Sequence, residues 1–304
     1  EEEIGSPNFP EFVKKNKEYL KCDVVVISDT GMIAPGVGTL TYALRGNVGC
    51  EVIAYGPRED LHSGSFGGSI ANPVTAIGRL VASLHNSDGK IQIPGFYDDV
   101  RDVQDWERKQ WLELGDSEPE IKQLAGVTEL FGEKGYSDLE RRWARPTAEL
   151  NGIGGGYQGE GGKTIIPKRA FAKMTFRMVP NQDPDKILKA IRAHVEQQQT
   201  PGIRFEVSNE RGSAAYLMEP GSAYGKIAQN ALEKTFAKKP ALIREGGTIQ
   251  IVNDFRRILG VDTLLLGLAL PDCGAHAPNE NFPIENFEAG MRLNQILLAE
   301  IAAS

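Results

Sequence analysis

The chain has 304 residues, 40% of them hydrophobic, with a formal net charge of −7, which is length enough for two domains and apolar material enough for two cores. Its 34 basic and 41 acidic residues are interspersed and form no basic patch for nucleic acid, and no apolar run approaches the roughly 20 residues of a membrane-spanning helix, so neither a nucleic-acid nor a membrane partner is expected. Three cysteines, Cys22, Cys50 and Cys273, lie far apart with no CxxC pair, which argues against a disulfide framework and points to a reducing, cytoplasmic setting.

The chain opens on Glu1-Glu2-Glu3-Ile4-Gly5-Ser6, which is not a signal peptide and lacks an initiator Met, so it reads as a sequence entered part-way. A polar helix around Pro10 to Leu20 and the apolar run Cys22 to Ser28 predict a helix and a buried parallel strand. From Gly38 the pattern changes to two alternating strands, Thr39 to Arg45 and Glu51 to Tyr55, joined by a turn at Gly46-Asn47 and followed by a helix from Ile70 to Leu84. The polar stretch Asp98 to Arg145 carries two charge-laced helical segments, DVRDVQDWERKQWLEL and SEPEIKQLAGV. Beyond it come a strand Arg169 to Met178, a helix Asp183 to Gln199 and a strand Ile203 to Ser208. Helices Ala223 to Ala237 and Gln250 to Leu259, the apolar strand Thr263 to Leu268 and a last helix Ile284 to Ala303 return to the α/β style of the opening. The expected organisation is therefore one α/β domain, residues 1–36 and 215–304, interrupted by an α+β domain, residues 37–214.

Several residues have the chemistry of a hydrolytic site. Glu2 and Glu3 adjoin a tight Gly5-Ser6-Pro7 turn, where neighbouring carboxylates can diverge, although an acidic string is equally a solvated terminus. Asp29 follows the apolar strand, at the kind of strand end where ligand groups gather in α/β sheets, and is equally a loop cap. His276 sits in the Gly/Pro-framed loop beyond the strand Thr263 to Leu268, and only four histidines occur in the chain, which favours a ligand or acid/base role. The run Gly159 to Thr164 ends like a phosphate-binding loop, but GxxxxGK[ST] needs glycine at 157, which is Tyr157, and no apolar strand leads into it.

Taken in order, EEEIGS, VVISDT, LHSG, KTIIP, FRMVPNQ, EGGTI and HAPNEN closely resemble the metallopeptidase family of carnosinase, cytosolic non-specific dipeptidase and aminoacylase, and the resemblance runs the length of the chain. It implies a zinc-peptidase-like α/β catalytic domain, incomplete here, with the inserted domain acting as lid and dimerisation module. It further implies metal-dependent hydrolysis of dipeptides, or of N-acyl amino acids by the same ligands, on two divalent ions, zinc or manganese. By the resemblance Glu2 is the general base; Glu3 and His276 hold one ion and Asp29 the other. His62 reaches the partner subunit's site in a homodimer and stabilises the oxyanion, although a His there can also cap the helix that follows. Arg177 clamps the small peptide's carboxylate, and Thr164, Glu245, Gly247 and Thr248 lie in substrate-contacting loops. The family also draws a His and a bridging Asp from upstream of the glutamate pair, a segment this sequence does not contain. The chain as given is therefore expected to hold half a site, to be inactive by itself and to survive as a dimer-forming module.

Overall fold

The computed structural model describes residues 5–304. In chain order its elements are α1 (Phe9–Lys15), β1 (Val25–Gly31), β2 (Thr39–Leu44), β3 (Gly46–Tyr55), β4 (Leu61–His62), α2 (Ser63–Phe66), α3 (Pro73–Ala82), α4 (Asp105–Glu113), α5 (Glu118–Ala125), α6 (Asp138–Trp143) and β5 (Thr147–Gly155). They continue with β6 (Ile165–Ile166), β7 (Arg169–Met178), α7 (Pro184–Gln197), β8 (Arg204–Ser213), β9 (Tyr216–Leu217), α8 (Ala223–Phe236), β10 (Ala241–Glu245), α9 (Gln250–Asp254), β11 (Thr263–Ala269) and α10 (Ile284–Ala303). A π-helical turn, Phe255–Leu259, extends α9 and ends on Gly260 in the left-handed region.

The chain forms two compact units. The first comprises the chain up to Leu44, Val103–Asp116 and Tyr216–Ser304; the second comprises Arg45–Asp102 and Ser117–Ala215. The first crossing thus falls at Leu44/Arg45, and a 14-residue stretch inside the inserted region, carrying α4, belongs to the first unit.

The expected hairpin between Thr39 and Tyr55 does not form. Arg45 alone separates β2 from β3, and the two strands enter different sheets. The misreading has a physical cause: the Thr and Tyr of TLTYAL suggest a polar face, yet all six residues of β2 are buried, as befits a strand paired on both edges and covered on both faces. Gly46 is required at this junction, since a Cβ there would meet Ala215 N and Ser213 O at 2.6 Å.

In the first unit the sheet order is β1-β11-β2-β10, with β9 also on β2. β1 runs parallel to β11 and β10 parallel to β2, while β11 and β2 are antiparallel. β1 is therefore the parallel strand expected, but it lies at an edge and is only half-buried. α10 buries Ala289, Gly290, Leu293 and Leu297, spaced to one face.

In the second unit β5-β7-β3-β8 form an antiparallel sheet. The alternation of β7 places Ala170, Ala172, Met174, Phe176 and Met178 in the core and Lys173, Thr175 and Arg177 on the other face. α3 and α7 complete that core with Ile77, Leu80, Ile187, Ile191 and Val195. Both helices start on a side-chain cap followed by proline, Asn72-Pro73 and Asp183-Pro184, each cap contributing about 1 kcal/mol. The separate pair β4-β6 joins Leu61-His62 to Ile165-Ile166.

Candidate functional site

Within the first unit, strand direction places the candidates. β1 and β11 finish together, Gly31 opposite Ala269; Asp29 is exposed near that end, and the loop carrying His276 leaves from it. His276 is exposed with φ +59, a left-handed backbone that costs a non-glycine residue about 1 kcal/mol. β10 runs the other way, so its last residue, Glu245, pairs with Leu44 at the opposite end of the sheet. Burial pushes the Glu245 carboxyl's pKa up. The following Gly246-Gly247-Thr248 segment leads into α9, whose Gln250 comes so close to Gly5 that a Cβ on Gly5 would meet its Oε1 at 3.3 Å. Phe9 packs edge-on against Phe255 at 5.3 Å. The residues that follow the EEEI opening therefore dock beside the Glu245–Thr248 loop. Glu2 and Glu3 themselves lie outside the described residues.

Behind Glu245 is a buried charge cluster not foreseen from sequence. Arg244, Glu107 and Tyr42 are all 0% exposed. Arg244 Nε donates to Glu107 Oε1 at 3.0 Å and its Nη2 contacts the same oxygen. The Tyr42 hydroxyl donates to that oxygen at 2.6 Å, and Glu107 Oε2 accepts from the Gln104 backbone N–H at 2.7 Å. Burial pushes the Tyr42 pKa up, so the phenol remains a donor. The Trp111 ring lies 5.6 Å from the Arg244 guanidinium, so α4 supplies both the anion and an aromatic wall.

Within the second unit, β4-β6 pairing brings two expected residues together: His62 lies opposite Ile165, and Ser63 N–H donates to Thr164 O at 2.9 Å. His62 also caps α2, its Nδ1 accepting from Gly64 N–H at 3.0 Å. An accepting Nδ1 on a neutral ring leaves the proton on Nε2, so the cap fixes the tautomer and turns a donor outward. Gly64 makes this possible, because a Cβ there would lie 2.8 Å from the imidazole Cε1. The other two histidines are internal to the unit. His194 is buried on Ser83 Oγ at 2.8 Å, and burial depresses the pKa of both His85 and His194.

Arg177 faces a cavity of about 390 Å³ that the second unit forms by itself, lined also by Arg45, Arg142, Arg145, Glu149 and His85. Two of its arginines are fixed by carboxylates. Arg145 makes a two-pronged pair with Glu133 at 2.7 and 2.8 Å, and Arg142 contacts Asp138 at 2.7 Å. Arg45 has its pKa pushed down to about 10, by burial first and then by the neighbouring positive charges of Arg177 and Arg142, with Glu149 opposing.

All three cysteines are free, and no helix among the described residues is long and apolar enough to cross a membrane. Among the described residues, no three His, Cys, Asp or Glu converge as a metal-holding group.

Residues 42–202 match the family model described as the M20 peptidase dimerisation domain. Over 96% of its length the chain is 32% identical to the Cys-Gly metallodipeptidase DUG1 of Saccharomyces cerevisiae, of which it covers 62%. Over 99% it is 29% identical to the human Beta-Ala-His dipeptidase, of which it covers 60%. It thus spans somewhat under two-thirds of the length of these curated relatives. Among solved structures it superposes on the M20 family metallo-carboxypeptidase Sso-CP2 of Sulfolobus solfataricus with TM-score 0.83 and 30% identity, covering 98% of this chain and 68% of that one.

Proposed function

This chain belongs to the M20 metallopeptidase family, and from that premise we propose that its chemistry is metal-dependent hydrolysis of dipeptides in the cytoplasm, by a homodimer built through the second unit. The observation that carries this reading is the similarity to metallodipeptidases along nearly all of the chain. Zinc or manganese suits mixed carboxylate and imidazole donors, and two bound divalent ions would activate water and polarise the peptide carbonyl. The described residues contribute Asp29 and His276 to such ions, too few to hold one alone; Glu3 is the further donor proposed.

In this reading Glu2 takes the proton of the attacking water and returns it to the leaving amine. His62 is the oxyanion donor in the partner's site; the outward Nε2–H set by its α2 cap supports that role, because a donor held in place needs no reorganisation as negative charge develops. Arg177 holds the substrate carboxylate through a guanidinium fork. Thr164, paired beside His62, and the Glu245-Gly246-Gly247-Thr248 loop contact the peptide, Gly247 having no Cβ to keep the backbone from the ligand.

The test is hydrolysis of alanyl-glycine against N-acetylalanine by the product of the whole gene, loaded with zinc or manganese. Turnover of the free-amino dipeptide alone is expected. Turnover of the N-acyl compound alone would make the protein an amidohydrolase instead.

A further inference from the structure

A second recess of the second unit lies at the root of the β4-β6 ribbon. It has a volume of about 450 Å³ and is lined by Tyr55, Gly56, Pro57, Arg58, Lys168 and Arg169. The lining holds three cations and no carboxylate, although the chain as a whole carries a net charge of −7. Arg58, Lys168 and Arg169 are exposed, and among the described residues none of these three side chains makes an ion pair or a hydrogen bond. The charged neighbours are already engaged. Asp60 Oδ1 accepts from the backbone N–H of Lys168 at 2.9 Å, and Arg204, stacked on the Tyr55 ring at 4.3 Å, pairs with Glu206 at 3.0 Å. Arg58 stands just before β4 and Lys168 just after β6, while Arg169 opens β7 opposite Tyr55. Both roots of the ribbon that carries His62 and Thr164 thus bring positive charge to one recess, and like charges so gathered are relieved by an anion.

We propose that this recess binds the phosphate group of a small soluble molecule, the anion bridging Arg58 to Lys168 and Arg169 and so tying together the two roots of the β4-β6 ribbon. Three cations suit a group of charge about −2 with three free oxygens better than a single carboxylate, and the arginine fork matches phosphate geometry. The volume exceeds that of a bare ion, and Tyr55 and Pro57 give the organic part of the ligand an apolar wall. A net charge of −7 opposes an anionic bilayer or a nucleic acid, which leaves a small solute as the occupant. Two bonds already cross the root, Gly56 N–H to Lys168 O and Lys168 N–H to Asp60 Oδ1, each at 2.9 Å. Both run through the backbone of Lys168, so a bridging anion adds a tie between side chains that the fold itself lacks. The site stands apart from peptide binding: none of its residues is a substrate contact in the dipeptidase reading, yet it governs how firmly the strand bearing His62 is held.

The probe is pyrophosphate, titrated calorimetrically into the metal-free protein at a fixed chloride concentration of about 0.1 M. A dissociation constant of about 1 mM or below is expected. Arg58→Gln and Arg169→Gln should each weaken binding about tenfold, as the loss of one charge-assisted contact does, while Arg177→Gln, in the other cavity, should leave it unchanged. Both positions are exposed, so the variants keep the fold; Lys168→Gln is the third variant should either fail. Saturating pyrophosphate should also slow hydrogen exchange of the Ser63 amide, the donor that joins the His62 strand to Thr164, at least about threefold, because tying the roots raises the cost of opening the ribbon. No binding at about 10 mM, an affinity that neither arginine substitution moves, an affinity lost with Arg177→Gln instead, or a Ser63 exchange rate that the ligand leaves unchanged would each overturn the proposal.

Discussion

Replacing Glu107 by Gln would remove the only carboxylate that touches the fully buried Arg244 in the described contacts. The Tyr42 hydroxyl and the Gln104 N–H would both keep a weaker acceptor at best. Breaking a buried pair from one side leaves a desolvated charge without its counterion, and such changes cost about 3–5 kcal/mol. For a unit of this size class each kilocalorie moves the midpoint by roughly 2–4 °C, so the expected loss is about 6–20 °C. Trp106 lies 5.6 Å from Tyr42 and Trp111 packs on Arg244, which makes tryptophan fluorescence during urea or thermal unfolding a direct report on this cluster. The double replacement Glu107→Leu with Arg244→Met should recover most of the loss, because apolar groups of similar volume replace a buried pair at little cost. If Glu107→Gln costs less than about 1 kcal/mol, or if the double variant is worse than the single one, the account of α4 as an electrostatic anchor is refuted.

Gly64→Ala should push the His62 imidazole off its cap, since the new Cβ would sit 2.8 Å from Cε1; turnover should fall while the thermal midpoint moves little, and unchanged turnover would remove the capped tautomer from the mechanism. The buried His194 has a depressed pKa, so its contribution to stability is complete above the ordinary histidine value and is lost as pH falls through its folded pKa. Urea midpoints compared at about pH 7.5 and about pH 5 should drop less for His194→Gln than for the unaltered chain, and an equal drop would assign the acid sensitivity elsewhere. Glu2→Gln in the product of the whole gene should keep its metal and lose about a hundredfold or more in turnover; loss of metal would make Glu2 a ligand instead. Glu3→Ala and His276→Ala should each deplete the same ion in metal analysis, and metal content indifferent to both would end that assignment.

Legibility in the sequence followed burial periodicity. β7 and α10 have the bounds expected, Arg169–Met178 and Ile284–Ala303, because each pairs a regular apolar period with clear punctuation at its ends. β5 and α6 were not foreseen. β5 is an edge strand of TAELNGIGG, whose exposed residues and glycines erase the alternation, and α6 is one six-residue turn of charged residues. β10 went unread because its ALIRE places an arginine where an apolar strand should continue. That arginine was itself the signal, since a charge inside a short apolar run must find a counterion. Its partner, Glu107, stands in a helix of alternating charges in which nothing distinguishes the buried glutamate from the solvated ones. His62, Thr164 and Arg177 were readable as motif residues, whereas nothing in the sequence marks Arg45 as lining the cavity that Arg177 faces, because the charged groups around it, Arg142, Glu149 and Arg177, lie far along the chain.

The placement of α4 also has a consequence for the order in which a nascent chain can fold. The second unit is complete once Ala215 has left the ribosome, whereas the first still lacks β9 to β11 and α8 to α10, β11 being an inner strand of its sheet. Residues Val103–Asp116 are by then already made, with Glu107 and Trp111 exposed in an excursion from a finished unit and their partner Arg244 not yet synthesised. At about 5–20 residues per second, that helix waits seconds for the cation that will bury it. During this interval Trp111 is open to chaperones and to other chains, so the same anchor that stabilises the finished protein is a site of risk during its synthesis.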